Sequence, residues 1–353
     1  MAVMSSAEVK NKVTYLAWQL DIGEPVFGID ALADRVIIEG SEGSVVVADT
    51  DGRAQLRLGL DDFLLAAAAS PNGTRLALGG GRRLVVFDLA DGSVVADRPH
   101  RWCRCLAWAA KTGELAASDG RLVRVYARGG RLRWTSAPLQ SAVAGLAWMD
   151  ADGRRLAAAA YQGVKIFEPD TDRIVERLAA PDAIAGIAVA PNWCWVVGGS
   201  QNSALHGWNV RDGSDFRMSG FPKLVSRLAF ESSGRWMCCN GGDTVVCWDF
   251  FGSGPTGREG LPAEGHRGDV TALAWAPTSG SAPILVSGDT AGEVALWRLG
   301  PSSPPGGRIR PFWTTTTCDP VSSVVATRDR IFSGHRSGAV RCFTSQPRQE
   351  AGR

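Results

Sequence analysis

A short run rich in β-branched residues, closing on an anchor residue, recurs eight times along the 353 residues. The runs are VVVA at Ala48, LVVF at Phe87, VRVY at Tyr126, VKIF at Phe167, LHGW at Trp208, VVCW at Trp248, VALW at Trp297 and VRCF at Phe343. Successive anchors lie 39, 39, 41, 41, 40, 49 and 46 residues apart. A period of about 42 residues belongs to units that bury their apolar faces only by stacking on neighbours. Two earlier strand signals precede most anchors. One is of the LAW type, at Leu106, Leu146, Ile187, Leu228 and Leu273; the other is rich in small residues, as in RLALGG from Arg75, RLAAAA from Arg155 and ILVSG from Ile284. Gly, Asn and Asp turns separate them, and a more polar fourth strand follows, as in GRLRWTS from Gly130 and DRIVERL from Asp172. Each unit therefore reads as a four-stranded antiparallel meander with a wet outer edge.

These observations predict an all-β chain folded as one closed eight-bladed β-propeller over residues 1–353. Its three-strand units fall at about 25–50, 64–89, 104–128, 144–169, 185–210, 226–250, 271–299 and 322–345. The segment after Phe343 is too short for a fourth strand, whereas VTYLAWQL, from Val13 to Leu20, is a spare strand ahead of the first unit. Placing it at about 13–20 on the outside of the last blade closes the ring and leaves no long edge. Seven blades remain the alternative, because the first unit has only Ala48 where the others have an aromatic. Two insertions, FFGSGPTGREGLPAEG after Trp248 and LGPSSPPGGRIRPF after Trp297, are expected as surface loops between third and fourth strands.

With 38 Lys+Arg against 36 Asp+Glu and a net charge of +2, binding of nucleic acid by bulk charge is not expected. No apolar run approaches the roughly 20 residues of a membrane-spanning helix. Glu8 and Lys10 interrupt any secretory core near the N-terminus, so a cytoplasmic, monomeric protein is expected. In that compartment the eight cysteines are expected as reduced thiols.

Candidate chemistry is sparse. Cys103 and Cys105 form C-x-C, and Cys238 and Cys239 are adjacent, but no paired zinc spacing occurs. In the repeat register Cys247 and Cys342 replace Val86, Val125, Ile166 and Leu296, and Cys238 and Cys239 replace Ala158 and Ala159; all four are expected as small core residues. The four histidines show no metal or nucleophile spacing, and His335, in SGHRSG, reads as a solvated turn residue next to Arg336. Gly79, Gly80, Gly81, Gly241 and Gly242 join strands rather than a strand and a helix, so they read as hairpin glycines with positive φ and not as a phosphate loop. No catalytic residue, metal site or cofactor is indicated.

The seventh unit carries Gly265-His266, Asp269-Val270, Leu273-Ala274-Trp275, Leu285-Val286-Ser287-Gly288 and Val294-Ala295-Leu296-Trp297, and Trp248-Asp249 supplies a WD dipeptide. On these residues the chain resembles the WD40-repeat family, in particular bacterial WD40-like proteins. The resemblance implies a structural relay of His266, Ser287 and Trp297, with the relay's usual Asp missing because Ala291 stands at its place. It also implies a non-catalytic scaffold whose top face meets a protein or peptide partner. The loops before first strands and the turns between second and third strands place Arg82, Arg83, Arg101, Trp102, Arg104, Tyr161, Phe221, Lys223, Arg267, His335 and Arg336 on that face, with His100, Arg121, Gln201 and Asn202 beside them. So basic and aromatic a set, with few acids, suits a partner of acidic character. Trp102 is the leading candidate, since an indole in a loop needs a reason to be wet. VYARGGRLRW, Val125 to Trp134, and the adjacent cysteines are also similar to eight-bladed quinoprotein dehydrogenases, which keeps a quinoprotein-like or metal-handling role as the alternative.

Overall fold

The computed structural model describes residues 15–32, 34–277, 282–300 and 307–344. They form eight four-stranded antiparallel sheets. Blades 1 to 7 span 26–59, 64–99, 106–135, 145–179, 184–218, 228–264 and 270–316. Blade 8 takes Val321–Ala326, Arg330–His335 and Ala339–Thr344, and Tyr15–Asp21 adds its outer strand, with Tyr15 opposite Thr344 and Asp21 opposite Ala339. The protein is an eight-bladed β-propeller, closed by its N-terminal strand. Residues 13 and 14 of the expected closing strand lie outside the described residues. No described helix is long and apolar enough to cross a membrane.

Each blade buries its second and third strands most deeply, and eight apolar clusters lie one between each pair of neighbouring blades, blade 8 and blade 1 included. This explains why those strands read as nearly continuous apolar runs: both faces are covered. The LAW tryptophans fasten the ring. Trp108, Trp148 and Trp275 each donate their indole N–H to a first-strand carbonyl of the preceding blade, at Ala68 (2.9 Å), Ala107 (3.0 Å) and Ala229 (3.0 Å).

Ala48 does not cost the chain a blade. The closing strand brings Trp18 over Gly52, and its indole N–H donates to the Thr50 carbonyl at 2.9 Å, so a ring from outside the unit covers the third strand's end. The first insertion departs from expectation, because Leu261–Glu264 within it is the fourth strand of blade 6. The second insertion then runs along that strand: Ile309 and Ala263 form a parallel bridge, and the Glu264 amide donates to the Ile309 carbonyl. An edge that would otherwise offer free backbone groups is covered.

The expectation of reduced thiols throughout is corrected at one site. Cys238 and Cys247 lie directly opposite one another on adjacent strands, with Cα atoms 4.2 Å apart, and their sulfurs are bonded. Close opposition across antiparallel strands is what allows it. Cys239, one residue on, points to the other face of the sheet and stays a free, buried thiol whose pKa burial raises to about 12. The glycine reading is corrected as well. Gly242 has φ of 97°, but Gly79, Gly80, Gly81 and Gly241 are not left-handed; their missing side chains make room for the Cys103 carbonyl, Leu60, the Phe63 ring and the Phe221 ring.

Candidate functional site: the channel and its rim

First strands line the axis, and most carry a β-bulge at the same register. The register shifts between Val26 and Gly28, Leu64 and Ala66, Ile184 and Gly186, Val270 and Ala272, and Val321 and Ser323, leaving Phe27, Leu65, Ala185, Thr271 and Ser322 as the extra residues. Arg104, Ala144 and Ser226 occupy the same place in blades 3, 4 and 6, one or two residues ahead of the first pair. A bulge re-aims a side chain out of the sheet. Phe27, Leu65, Arg104, Ala144, Ala185 and Ser226 duly line a cavity of about 690 Å³ on the axis.

The residue after the bulge is small in seven blades: Gly28, Ala66, Cys105, Gly145, Gly186, Ala272 and Ser323. In blade 6 it is Arg227. Its Nε donates to the Thr271 carbonyl at 2.9 Å, and burial lowers its pKa. Arg227 was not singled out in the sequence, although its size at this register was visible there.

At the channel mouth Trp102 is 60% exposed, adopts φ of 52° and stands 5.8 Å from the exposed Phe63 ring. The loop beneath explains the posture. His100 is buried; its Nδ1 donates to the Ser118 carbonyl (3.0 Å), and its Nε2 accepts from the Tyr126 hydroxyl (2.7 Å). Burial lowers the His100 pKa, so the neutral ring suits this assignment. Asp119 accepts from the Arg101 amide at 2.6 Å and pairs with Arg124 at 2.6 Å. The Trp102 amide donates to the Gly81 carbonyl at 2.9 Å. With the backbone held on both sides, the indole has only the rim to occupy.

Blade 7 shows a related anchor. Trp297 donates its indole N–H to Ser287 Oγ at 2.7 Å, and Ser287 Oγ lies 2.6 Å from His266 Nε2. His266 Nδ1 faces Asp289 Oδ2 at 3.1 Å. The expected absence of an Asp is therefore corrected: Asp289, at the end of the second strand, completes the chain two residues before Ala291. Its carboxylate also accepts from the amides of Arg267, Gly268, Ala291 and Glu293. Burial alone would raise the Asp289 pKa, but His266 and these amides outweigh it and bring it to about 2. His266, Asp289 and Glu293 bring potential ligand atoms within 4.8 Å of one another. Asp289 and both His266 nitrogens are already engaged, which leaves only Glu293 Oε2 without a partner. The cluster is built as a strut.

Two predicted face residues move inside. His335 is fully buried; it occupies the register position of Asp289, accepts from Ser333 Oγ (2.8 Å) and donates to the Asp319 carbonyl (2.8 Å). Its reading as a solvated or partner-facing turn residue is corrected, the strand extending one residue further than SGHRSG suggested. His100 is the other. Arg83 pairs with Asp97 and Asp61, and Lys223 with Asp269 at 2.5 Å, so acids share this face more than expected. Arg121 donates to the Leu139 carbonyl at 2.7 Å, and Phe221 is half-buried. Arg82, Arg101, Arg267 and Arg336 are exposed with no ion pair among the described residues, and Tyr161 is half exposed.

No protein-family model matches the chain, and no curated protein matches it by sequence. Among solved structures, that of the computationally designed Ika8 protein superposes with a TM-score of 0.77 at 19% identity, over 92% of this chain and 97% of that one. The likeness is one of fold. Since 1771 solved chains match in structure, this architecture alone selects no function.

Proposed function

We propose that this protein is a non-catalytic interaction scaffold of the WD40 kind, cytoplasmic and monomeric, which captures a protein or peptide partner of acidic character on the rim around Trp102. The observation that carries the reading is the exposed Trp102–Phe63 pair, held out by a rigid loop beside Arg82 and Arg101. Aromatic and Arg side chains fixed on a stiff frame lose little entropy on binding, which suits them as hot spots. The adjacent cysteines do not pair with one another, since Cys238 bonds Cys247, and no observation favours the quinoprotein-like alternative. The test is affinity for a partner isolated from the source organism and then purified. Trp102→Ala with Arg101→Ala is expected to abolish capture while leaving the melting temperature nearly unchanged, and raised salt is expected to weaken capture by the wild type. Undiminished capture by the double variant would remove the rim from the reading.

A further inference from the structure

The axial cavity, about 690 Å³, falls within the range of about 300–1,000 Å³ for small-ligand pockets. Its described lining holds two guanidinium groups, Arg104 and Arg227, and no carboxylate; nearly all the rest is apolar or glycine. Several arginines of this molecule find acids, as Arg124 does in Asp119 and Arg235 in Asp249. Within the described residues the Arg104 guanidinium has no hydrogen-bond or ion-pair partner, and the Arg227 guanidinium uses only Nε, on a neutral carbonyl. Arg227 also stands where seven sister blades keep a residue no larger than Cys or Ser. Arg227 thus brings a positive charge to the channel wall with no carboxylate beside it, a counter-charge that a bound anion would supply.

We propose that the channel binds a small organic anion: a carboxylate or phosphate group on an apolar body, the charged head against Arg104 and Arg227, the body against Phe27, Leu65 and Leu106. A guanidinium with free N–H groups meets either head group in a planar, two-pronged contact, and the aliphatic and aromatic wall receives the remainder. Trp102 borders both the rim and the cavity, but neither arginine is needed for the Trp102–Phe63 contact, so the arginine variants test this inference separately from the rim reading.

Thermal shift and calorimetry with decanoate, decyl phosphate and uncharged decan-1-ol provide the test. One or both anions are expected to raise the melting temperature in a concentration-dependent way, the effective one naming the head group, and the alcohol is expected to do so far less. Arg104→Met and Arg227→Met are each expected to weaken anion binding about tenfold or more, with Arg104→Lys retaining part of it. Arg101→Ala, outside the cavity, is expected to bind the anion as the wild type does, even where partner capture fails. If Arg227→Met does not fold, Arg104→Met and Arg104→Glu decide. No response to either anion, an equal response to the alcohol, or unchanged binding in the arginine variants would each overturn the assignment.

Discussion

Ser287 stands between two rings with a single hydroxyl, accepting from Trp297 and reaching His266. Removing it strands a buried indole N–H and an imidazole nitrogen together. Ser287→Ala is therefore expected to destabilise the protein by about 1–3 kcal/mol in denaturant unfolding, while a surface serine such as Ser93 changed to Ala costs much less. Glu39 presents the opposite case. It is buried between blades 1 and 2, Oε1 has no partner, and burial first, then the nearby Asp30, raises its pKa well above the ordinary 4.5. The folded protein then keeps a proton that the unfolded chain releases, so this contribution to stability is full below the unfolded pKa and declines as pH rises through the folded one. Glu39→Gln is expected to flatten that decline, melting higher than the wild type in mildly alkaline buffer and about equally near pH 4. Parallel pH-dependent melts of both proteins check it.

At the scale of strands and blades, the hydrogen bonds of the LAW tryptophans cross from one sheet to the next. Trp148→Phe, which retains most of the ring but no N–H, is expected to leave the Ala107 carbonyl without its donor and to cost about 1 kcal/mol. The Cys238–Cys247 bond joins strands already held by their ladder and spans a sequence separation of only 9. Reduction, or replacement by the Ala and Val of sister blades, is expected to lower the melting temperature by only a few degrees; a thiol count on denatured, alkylated protein gives its redox state. Repeat spacing made the blades legible in the sequence, as did β-branched runs and the spare N-terminal strand. Three features were not legible for physical reasons. The bulges decide which first-strand residue faces the axis, and one extra residue reverses a strand's inward and outward sides. Asp289 escaped a count back from Trp297 because it ends the second strand instead of occupying the turn. His335 lies among turn-like residues, and its place inside depends on Asp319, sixteen positions away. At the rim, Trp102 and Arg101 were found from loop position, whereas the acids that neutralise Arg83 and Lys223, Asp97 on the neighbouring strand and Asp269 ahead of blade 7, could be assigned only in three dimensions.

On the scale of the whole molecule, eight interfaces of one kind must all be made for any to be fully covered, and the interface between blades 8 and 1 depends on residues from both chain ends. Deleting residues 1–21 would free the long edge of Ala339–Thr344 and strip Phe332 of its ring contact with Trp18. The expected outcome is loss of cooperative unfolding together with association through the open edge, seen by light scattering. Because Tyr15 and Thr344 sit face to face, the polypeptide could be spliced there by a short linker and opened at an outer loop such as 250–260. The circle would be unaltered, and whichever blade then contained the break would inherit the work of joining beginning to end.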